Sequence, residues 1–316
     1  MILLAAFLLH SAAGGTVVAD TLWSQALGTR KQVMVYLPPS YVRNPARRYP
    51  VAYYLHGLTG RETDWTEQGR LNLVMDSLIA GGVREMIVVM PDGDDGWYTT
   101  WNSLPSVEAC RRTAPAREKA ESYCVPWPHY DDYIARDVVG FIDSRYRTRT
   151  ARQSRAIAGL SMGGFGATTL AFSYPDVFAA AASHSGVLAP LFIGPHPLRG
   201  TPMWAATRED LMRGWERLWP ALELVFGRDT AMWWSRDPGR KLERLVKARG
   251  RSAIPALFVD VGTDDELADE TRAFRWRADS LGVPVLYHEW PGKHDWAYWR
   301  AHVGESLAWI AGRLTP

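Results

Sequence analysis

The pattern of apolar and polar positions predicts a chain in which strands and helices alternate. Short continuous apolar runs, typical of strands buried on both faces, lie at 50–55, 86–90, 178–183, 255–261 and 283–289. Apolar residues with helical spacing lie at 71–80, 133–146, 268–281 and 299–314. Residues 20–38 alternate instead, around Gly28, and predict a hairpin. This order predicts an α/β fold with a mostly parallel central sheet, helices on both faces and an antiparallel hairpin at its start.

Two long stretches interrupt the alternation. Residues 92–130 are irregular and rich in Asp, Gly, Pro and aromatic residues, and residues 187–250 lack a strand pattern and are rich in Trp. Loops of this length inside a compact domain are usually functional. We expect the first to be an irregular insertion and the second a cap-like cover of short helices over the carboxyl ends of the strands, both within a single domain over residues 20–316.

Composition and charge narrow the choice of partners. The 316 residues carry 36 Lys and Arg against 34 Asp and Glu, a net charge of +2. This balance gives no basis for binding nucleic acid or an anionic membrane surface. We therefore expect a small-molecule substrate as the partner, while the oligomeric state stays open.

The amino terminus is a short apolar run that ends in small residues. It is too short to span a bilayer and is similar to the apolar core of a secretory signal, although the basic residues that usually precede that core are absent. We predict a signal peptide over residues 1–19, with cleavage after Ala13 or Ala19, and a secreted or periplasmic location. The alternative is a buried N-terminal strand. No second apolar run of spanning length follows, so stable membrane insertion is not expected.

The chain has two cysteines, Cys110 and Cys124, both in the same polar, Pro-rich segment. In an exported protein a local disulfide is expected, whereas in the cytosol two free thiols are the better interpretation. Neither their spacing nor a nearby cluster of ligand residues indicates a zinc site.

The strongest chemical motif is Gly159-Leu160-Ser161-Met162-Gly163. It follows an apolar strand and precedes a predicted helix, the arrangement of a nucleophile elbow. In such a turn the serine hydroxyl stands above the carboxyl end of the sheet. Ser161 is therefore the predicted nucleophile.

A serine nucleophile needs a base and a carboxylate that orients it, and in this architecture both follow the serine in the chain. Asp265 is the predicted acid, because it comes three residues after the glycine that ends the preceding strand. Asp264 is the alternative, and either acid could instead cap the following helix. Asp260 lies inside the strand and is expected to be a structural acid.

His294 is the predicted base, because it lies in the loop after the next strand. His288, within that strand, and His302, within the last helix, are expected to be structural. Two backbone N–H groups would complete the site as an oxyanion hole, those of Leu58 and Met162, and His56 is expected only to shape the Leu58 loop.

Several motifs in combination resemble the esterase D family of α/β-hydrolases. They are the elbow extended to Gly164 and the segments listed here: His56-Gly57 with Gly60 and Asp64-Trp65, Pro91-Asp92-Gly93 with Trp97-Tyr98, Tyr130-Asp131-Asp132-Tyr133, Gly262-Thr263-Asp264-Asp265 and Gly292-Lys293-His294-Asp295-Trp296. The resemblance covers most of residues 30–312. It implies an α/β-hydrolase fold, the triad Ser161, Asp265 and His294, and the Leu58 and Met162 amides as the oxyanion hole. Its aromatic positions are candidate substrate contacts, namely Trp65, Trp97, Tyr98 and Trp296.

These observations predict a serine carboxylic-ester hydrolase that works through an acyl-enzyme on a small or a sugar- or aromatic-linked ester. Acyl transfer to a sugar or lipid alcohol is the closest alternative, because it uses the same triad. An S-formylglutathione-type thioesterase comes next, and a binding protein that has lost the chemistry comes last. No cofactor is expected, and no metal, because no pair of histidines has helical ligand spacing.

Overall fold

The structure, a computed structural model, describes residues 14–100, 107–113, 116, 118, 123–125, 128–215, 219–227 and 229–315. Its strands in chain order are β1 Thr16–Ser24, β2 Thr29–Leu37, β3 Val51–Leu55, β4 Ile87–Pro91, β5 Arg155–Leu160, β6 Ala180–His184, β7 Ala256–Gly262 and β8 Val285–Trp290. They form one sheet with the order β1-β2-β4-β3-β5-β6-β7-β8.

The pairing in this sheet is antiparallel at one edge and parallel elsewhere. The β1–β2 and β2–β4 pairs are antiparallel, and every neighbouring pair from β4 to β8 is parallel. All residues of β3, β4, β5 and β6 are buried, as their continuous apolar sequences require. The predicted fold class is confirmed.

Helices cover both faces of the sheet. In chain order they are α1 Ser40–Arg43, α2 Asp64–Glu67, α3 Leu71–Ala80, α4 Val107–Thr113, α5 Tyr130–Asp132, α6 Val139–Arg145, α7 Met162–Ser173, α8 Arg208–Gly214, α9 Trp219–Phe226, α10 Thr230–Arg236, α11 Pro238–Arg249, α12 Ala268–Ser280 and α13 Trp296–Arg313. A π-helix, Tyr133–Val138, joins α5 to α6. Because side chains alternate along a strand, Tyr53 of β3 packs in the core under α6, α7 and α12, and Tyr54 packs in the core under α3 and α13.

The hairpin turns at Gly28, as predicted, but its first strand begins earlier than expected. Thr16 pairs with Leu37, and the N–H of Gly15 donates a 2.7 Å hydrogen bond to Asp76 Oδ1. The folded domain therefore begins before residue 20. Residues 1–13 of the predicted signal peptide lie outside the described part of the chain.

The Trp-rich region contains α8 to α11, and its last helix differs from the expectation of a cover. α11 packs against α7 and α12, so it belongs to the helical layer on the sheet. Within the earlier insertion, Cys110 of α4 forms a disulfide with Cys124, with an S–S distance of 2.07 Å. Among the described residues no helix is both long enough and apolar enough to cross a membrane.

Candidate active site

Ser161 lies in a sharp turn between β5 and α7. Its backbone has φ 52° and ψ −119°, a conformation that non-glycine residues rarely adopt and that marks functional sites. The turn also needs close backbone approach. A Cβ on Gly159 would lie 2.3 Å from the carbonyl oxygen of Gly163, and a Cβ on Gly163 would lie 2.4 Å from that of Leu55. The two flanking glycines are therefore required by space, and the serine between them stays partly exposed.

The structure brings Ser161, His294 and Asp265 together. Ser161 Oγ lies 2.9 Å from His294 Nε2, and both carboxylate oxygens of Asp265 lie 3.0 Å from His294 Nδ1. Because a carboxylate only accepts hydrogen bonds, His294 donates through Nδ1 and leaves Nε2 to accept the serine proton. This is the geometry that acyl transfer by a serine requires.

The loops that carry the acid and the base are bonded to each other. The Asp264 N–H donates a 2.9 Å hydrogen bond to Gly292 O, and a Cβ on Gly262 would lie 2.4 Å from the same oxygen. Asp295, directly after His294, accepts the N–H of Tyr298 and caps α13. The His294 ring also rests edge-on against Trp299, with ring centroids 5.0 Å apart.

Burial separates Asp265 from its neighbour Asp264. The Asp265 carboxylate is buried and also accepts the N–H of Leu267 at 2.8 Å, whereas Asp264 is exposed. Nearby, burial followed by the charges of Asp265 and Asp237 raises the pKa of Glu270 well above its usual value. The raised pKa favours the protonated, uncharged form of Glu270 and so limits the negative charge beside the Asp265–His294 pair.

The Leu58 loop passes directly beside the elbow. A Cβ on Gly57 would lie 3.5 Å from the Ser161 Cβ. His56 holds the loop from beneath, since its Nδ1 lies 2.8 Å from Gly57 O and its Nε2 accepts the Gly93 N–H at 2.9 Å. Met162 is the first residue of α7, where an N–H has no partner within the helix.

Three of the four predicted substrate contacts are wrong, because they are buried in the scaffold. Trp65 is fully buried and donates its indole N–H to Leu55 O at 3.0 Å. Tyr98 is 1% exposed and donates its hydroxyl to His56 O. Trp97 is 3% exposed and packs edge-on against two phenylalanine rings. Trp296 is half-buried and is the only one of the four with appreciable surface.

A buried lysine that the sequence analysis missed holds the loop of Trp97 and Tyr98. Lys31 is 2% exposed, and its Nζ lies 2.8 Å from Asp92 and 2.6 Å from Asp94. Burial alone would lower the pKa of Lys31, but the two carboxylates outweigh it and raise that pKa. The signal was present in the sequence, because Lys31 has the same strand parity as the inward-facing Val33 and Val35.

An open cleft of about 640 Å³ lies beside the acid–base pair and is bounded by Asp265 and His294. Its walls carry charged side chains, among them Asp269, Arg272 and Lys293. Burial would raise the pKa of Asp269, but bonds from the Leu198 N–H, Arg272 and His196 hold it below its usual value. The cleft is thus polar and offers both signs of charge next to His294.

Comparison with known proteins shows which family this chain belongs to. The family model Esterase, described as "Putative esterase", matches residues 24–310. An esterase of Mycobacterium tuberculosis (strain CDC 1551 / Oshkosh) is 29% identical over 289 residues, which are 86% of this chain and 54% of that protein. The chain therefore spans about half the length of the first curated relatives it matches.

Two solved structures of other proteins have the same fold as this chain. A ferulic acid esterase matches with a TM-score of 0.69 at 27% identity and covers 96% of this chain and 99% of its own. An S-formylglutathione hydrolase from Agrobacterium tumefaciens matches with a TM-score of 0.70 at 21% identity, over 99% of this chain and 100% of its own. At that lower identity the likeness supports the fold alone.

Proposed function

Because this chain belongs to the esterase D family of α/β-hydrolases, we propose that it cleaves carboxylic esters with Ser161 as nucleophile, through an acyl-enzyme. The observation that carries the proposal is the 2.9 Å contact between Ser161 Oγ and His294 Nε2, with the buried Asp265 on the far side of the imidazole. A neutral imidazole oriented in this way accepts the serine proton as the hydroxyl attacks.

The remaining steps follow from the same groups. Ser161 attacks the ester carbonyl while His294 Nε2 takes its proton, and Asp265 stabilises the imidazolium that forms. The N–H groups of Leu58 and Met162 are proposed to stabilise the oxyanion, each contributing about 3 kcal/mol in the transition state. His294 then protonates the departing alcohol, and a water molecule deprotonated by His294 releases the acid and restores Ser161.

The charged cleft beside His294 supports a polar alcohol group, such as a sugar, in the substrate. An apolar acyl chain in this cleft would remove water from the charged side chains of Asp269, Arg272 and Lys293, which is unfavourable.

Transfer to a sugar would need a platform for the acceptor, but the tryptophans of the Trp-rich region are largely committed to packing. Trp215 donates its indole N–H to Pro190 O, Trp233 is 1% exposed, and Arg277 covers the ring of Trp204 at 4.4 Å. They offer little free aromatic surface for a sugar acceptor. Hydrolysis is therefore proposed over transfer.

Stopped-flow assays on a panel of nitrophenyl esters test the proposal. We expect a burst of nitrophenol with an amplitude near one per chain, and faster turnover of acetyl and butyryl than of octanoyl esters. Feruloyl and acetyl sugar esters are assayed by product analysis, with free acid as the main product even when sugar is added. Ester transferred to the sugar in excess of free acid would contradict hydrolysis, and the absence of turnover on every ester would contradict the proposed function.

We also propose export, which the Cys110–Cys124 disulfide supports. Cleavage after Ala13 leaves β1 whole, whereas cleavage after Ala19 removes four of its nine residues and the Gly15–Asp76 hydrogen bond. N-terminal sequencing of the exported protein is expected to begin at Gly14. A start at Asp20 would mean that this edge strand is shortened in the mature enzyme.

A further inference from the structure

A second Ser–His–Asp group lies beneath the elbow. His184, the last residue of β6, has its Nε2 2.8 Å from Ser306 Oγ and its Nδ1 2.6 Å from Asp260 Oδ2. All three side chains are fully buried. Within the described residues neither His184 Nδ1 nor Asp260 Oδ2 makes a hydrogen bond of good geometry, so the 2.6 Å approach of the two atoms is a close polar contact.

Two tyrosines extend this group. Tyr298 donates its hydroxyl to Asp260 Oδ1 at 3.0 Å, and the Tyr54 hydroxyl lies 2.8 Å from Ser306 Oγ. The resulting set, which we call the buried network, therefore joins β3, β6 and β7 to α13 at two points two helical turns apart.

The buried network cannot be a second catalytic site, because no substrate reaches it. Trp65 and Phe258 pack around the His184 ring, with centroids 6.1 and 6.0 Å from it. Ser306 also donates its hydroxyl to Val303 O within its own helix, at 3.0 Å. The polar groups contact one another in the middle of the apolar core shared with α3.

The network does, however, contact the backbone of Ser161 and the loop that carries His294. The carbonyl oxygen of His184 accepts the Ser161 N–H at 3.0 Å. Tyr298 lies four residues after His294, has its N–H capped by Asp295, and presents its ring to Gly292, where an added Cβ would lie 2.4 Å from that ring. One set of bonded side chains thus links the elbow to the helix that carries the histidine.

We propose that His184, Asp260, Tyr298 and Ser306 are positioning residues for ester hydrolysis. They fix the rotation and axial position of α13 relative to β5, and so hold His294 Nε2 within reach of Ser161 Oγ. Apolar packing alone resists such sliding weakly, whereas hydrogen bonds are directional and fail when the helix shifts. This inference rests on the proposed function of Ser161 and His294.

Removing one hydroxyl at a time tests the proposal. Tyr298→Phe removes the hydrogen bond from the first turn of α13 to Asp260. Ser306→Ala removes the contact with His184 two turns later. Since a misplacement of about 1 Å can cost about 100-fold, we expect each variant to lower kcat about tenfold with KM within about twofold. We expect the double variant to lose less than the product of the two single losses, because both act through one unit.

Tyr36→Phe is the matched control. Tyr36 is also fully buried and donates to a carboxylate, Asp76, at 2.7 Å, but it lies on β2, which β4 and β3 separate from β5. We expect a comparable fall in Tm with unchanged kcat. Unchanged kcat in both Tyr298→Phe and Ser306→Ala would overturn the proposal. If Tyr298→Phe does not fold, Ser306→Ala and Tyr54→Phe decide the question by the same criterion.

Labelling with a fluorophosphonate separates this inference from the proposed function. In the wild-type protein we expect the label at Ser161 and none at Ser306, and slower labelling of Tyr298→Phe than of Tyr36→Phe. No label at Ser161 would refute the proposed function itself. Label at Ser161 with equal rates in both variants would refute only the positioning role.

Discussion

Replacement of Ser161 by alanine is expected to lower kcat/KM for nitrophenyl acetate by about 10⁵-fold, because the hydroxyl that forms the acyl-enzyme is lost. Binding and the oxyanion donors remain, so a small residual rate above that of water is expected. The turn itself is retained, since alanine has the same Cβ as serine in the φ 52° conformation. The measurement is steady-state kinetics together with Tm, which should change by only a few degrees.

Ser185→Ala is the control for this experiment. Ser185 also has a positive φ, 47°, is fully buried, and lies just after the neighbouring strand β6. Its hydroxyl has no hydrogen-bond partner within the described residues. We expect kcat within twofold of wild type. If Ser161→Ala kept more than about a hundredth of the activity, another group would have to be the nucleophile.

Replacement of Asp265 by asparagine is the second large effect, with an expected loss of kcat of about 10⁴-fold. The Asn amide would direct an N–H toward His294 Nδ1, which would then have to accept. The ring proton would move to Nε2, where it faces Ser161 and can no longer take the serine proton. KM should change little, because Asp265 contacts the imidazole rather than the substrate.

Asp264→Asn makes the same chemical change one residue away. Asp264 is exposed, and we expect its variant to keep kcat within twofold. The reverse result, with a large loss at Asp264 and a small one at Asp265, would assign the acid role to Asp264 and contradict the geometry. Measurement of kcat for both variants on one ester at saturating concentration distinguishes the outcomes.

The sequence predicts the fold class, and it predicts that the three chain segments of the proposed triad meet at one edge of the sheet. Parallel strands end on the same edge, so residues that follow β5, β7 and β8 must meet there. The choice of Asp265 over Asp264 also agrees with the contact to His294. This long-range proximity follows from the succession of parallel strands along the chain, which the apolar runs indicate.

Side-chain exposure is harder to predict, because it depends on loops whose paths the sequence does not encode locally. The sequence predicts Trp65 and Tyr98 as substrate contacts, yet both donate hydrogen bonds to carbonyl groups at the end of β3, Leu55 O and His56 O. Lys31, His184 and Asp260 show the converse. Each is polar at an inward position of a buried strand, a conflict that signals a paired buried group even when its partner is distant in sequence.

The hydrogen bond between the loop that carries Asp265 and the loop that carries His294 has a consequence for protein engineering. Asp264 N–H and Gly292 O tie the acid loop to the base loop, and Gly262 leaves no room for a side chain between them. The loops that carry Asp265 and His294 therefore form one structural unit, and they can be moved into a related protein only together. A chimera that exchanges one loop alone would separate its own acid from its base before it altered the distance to the serine.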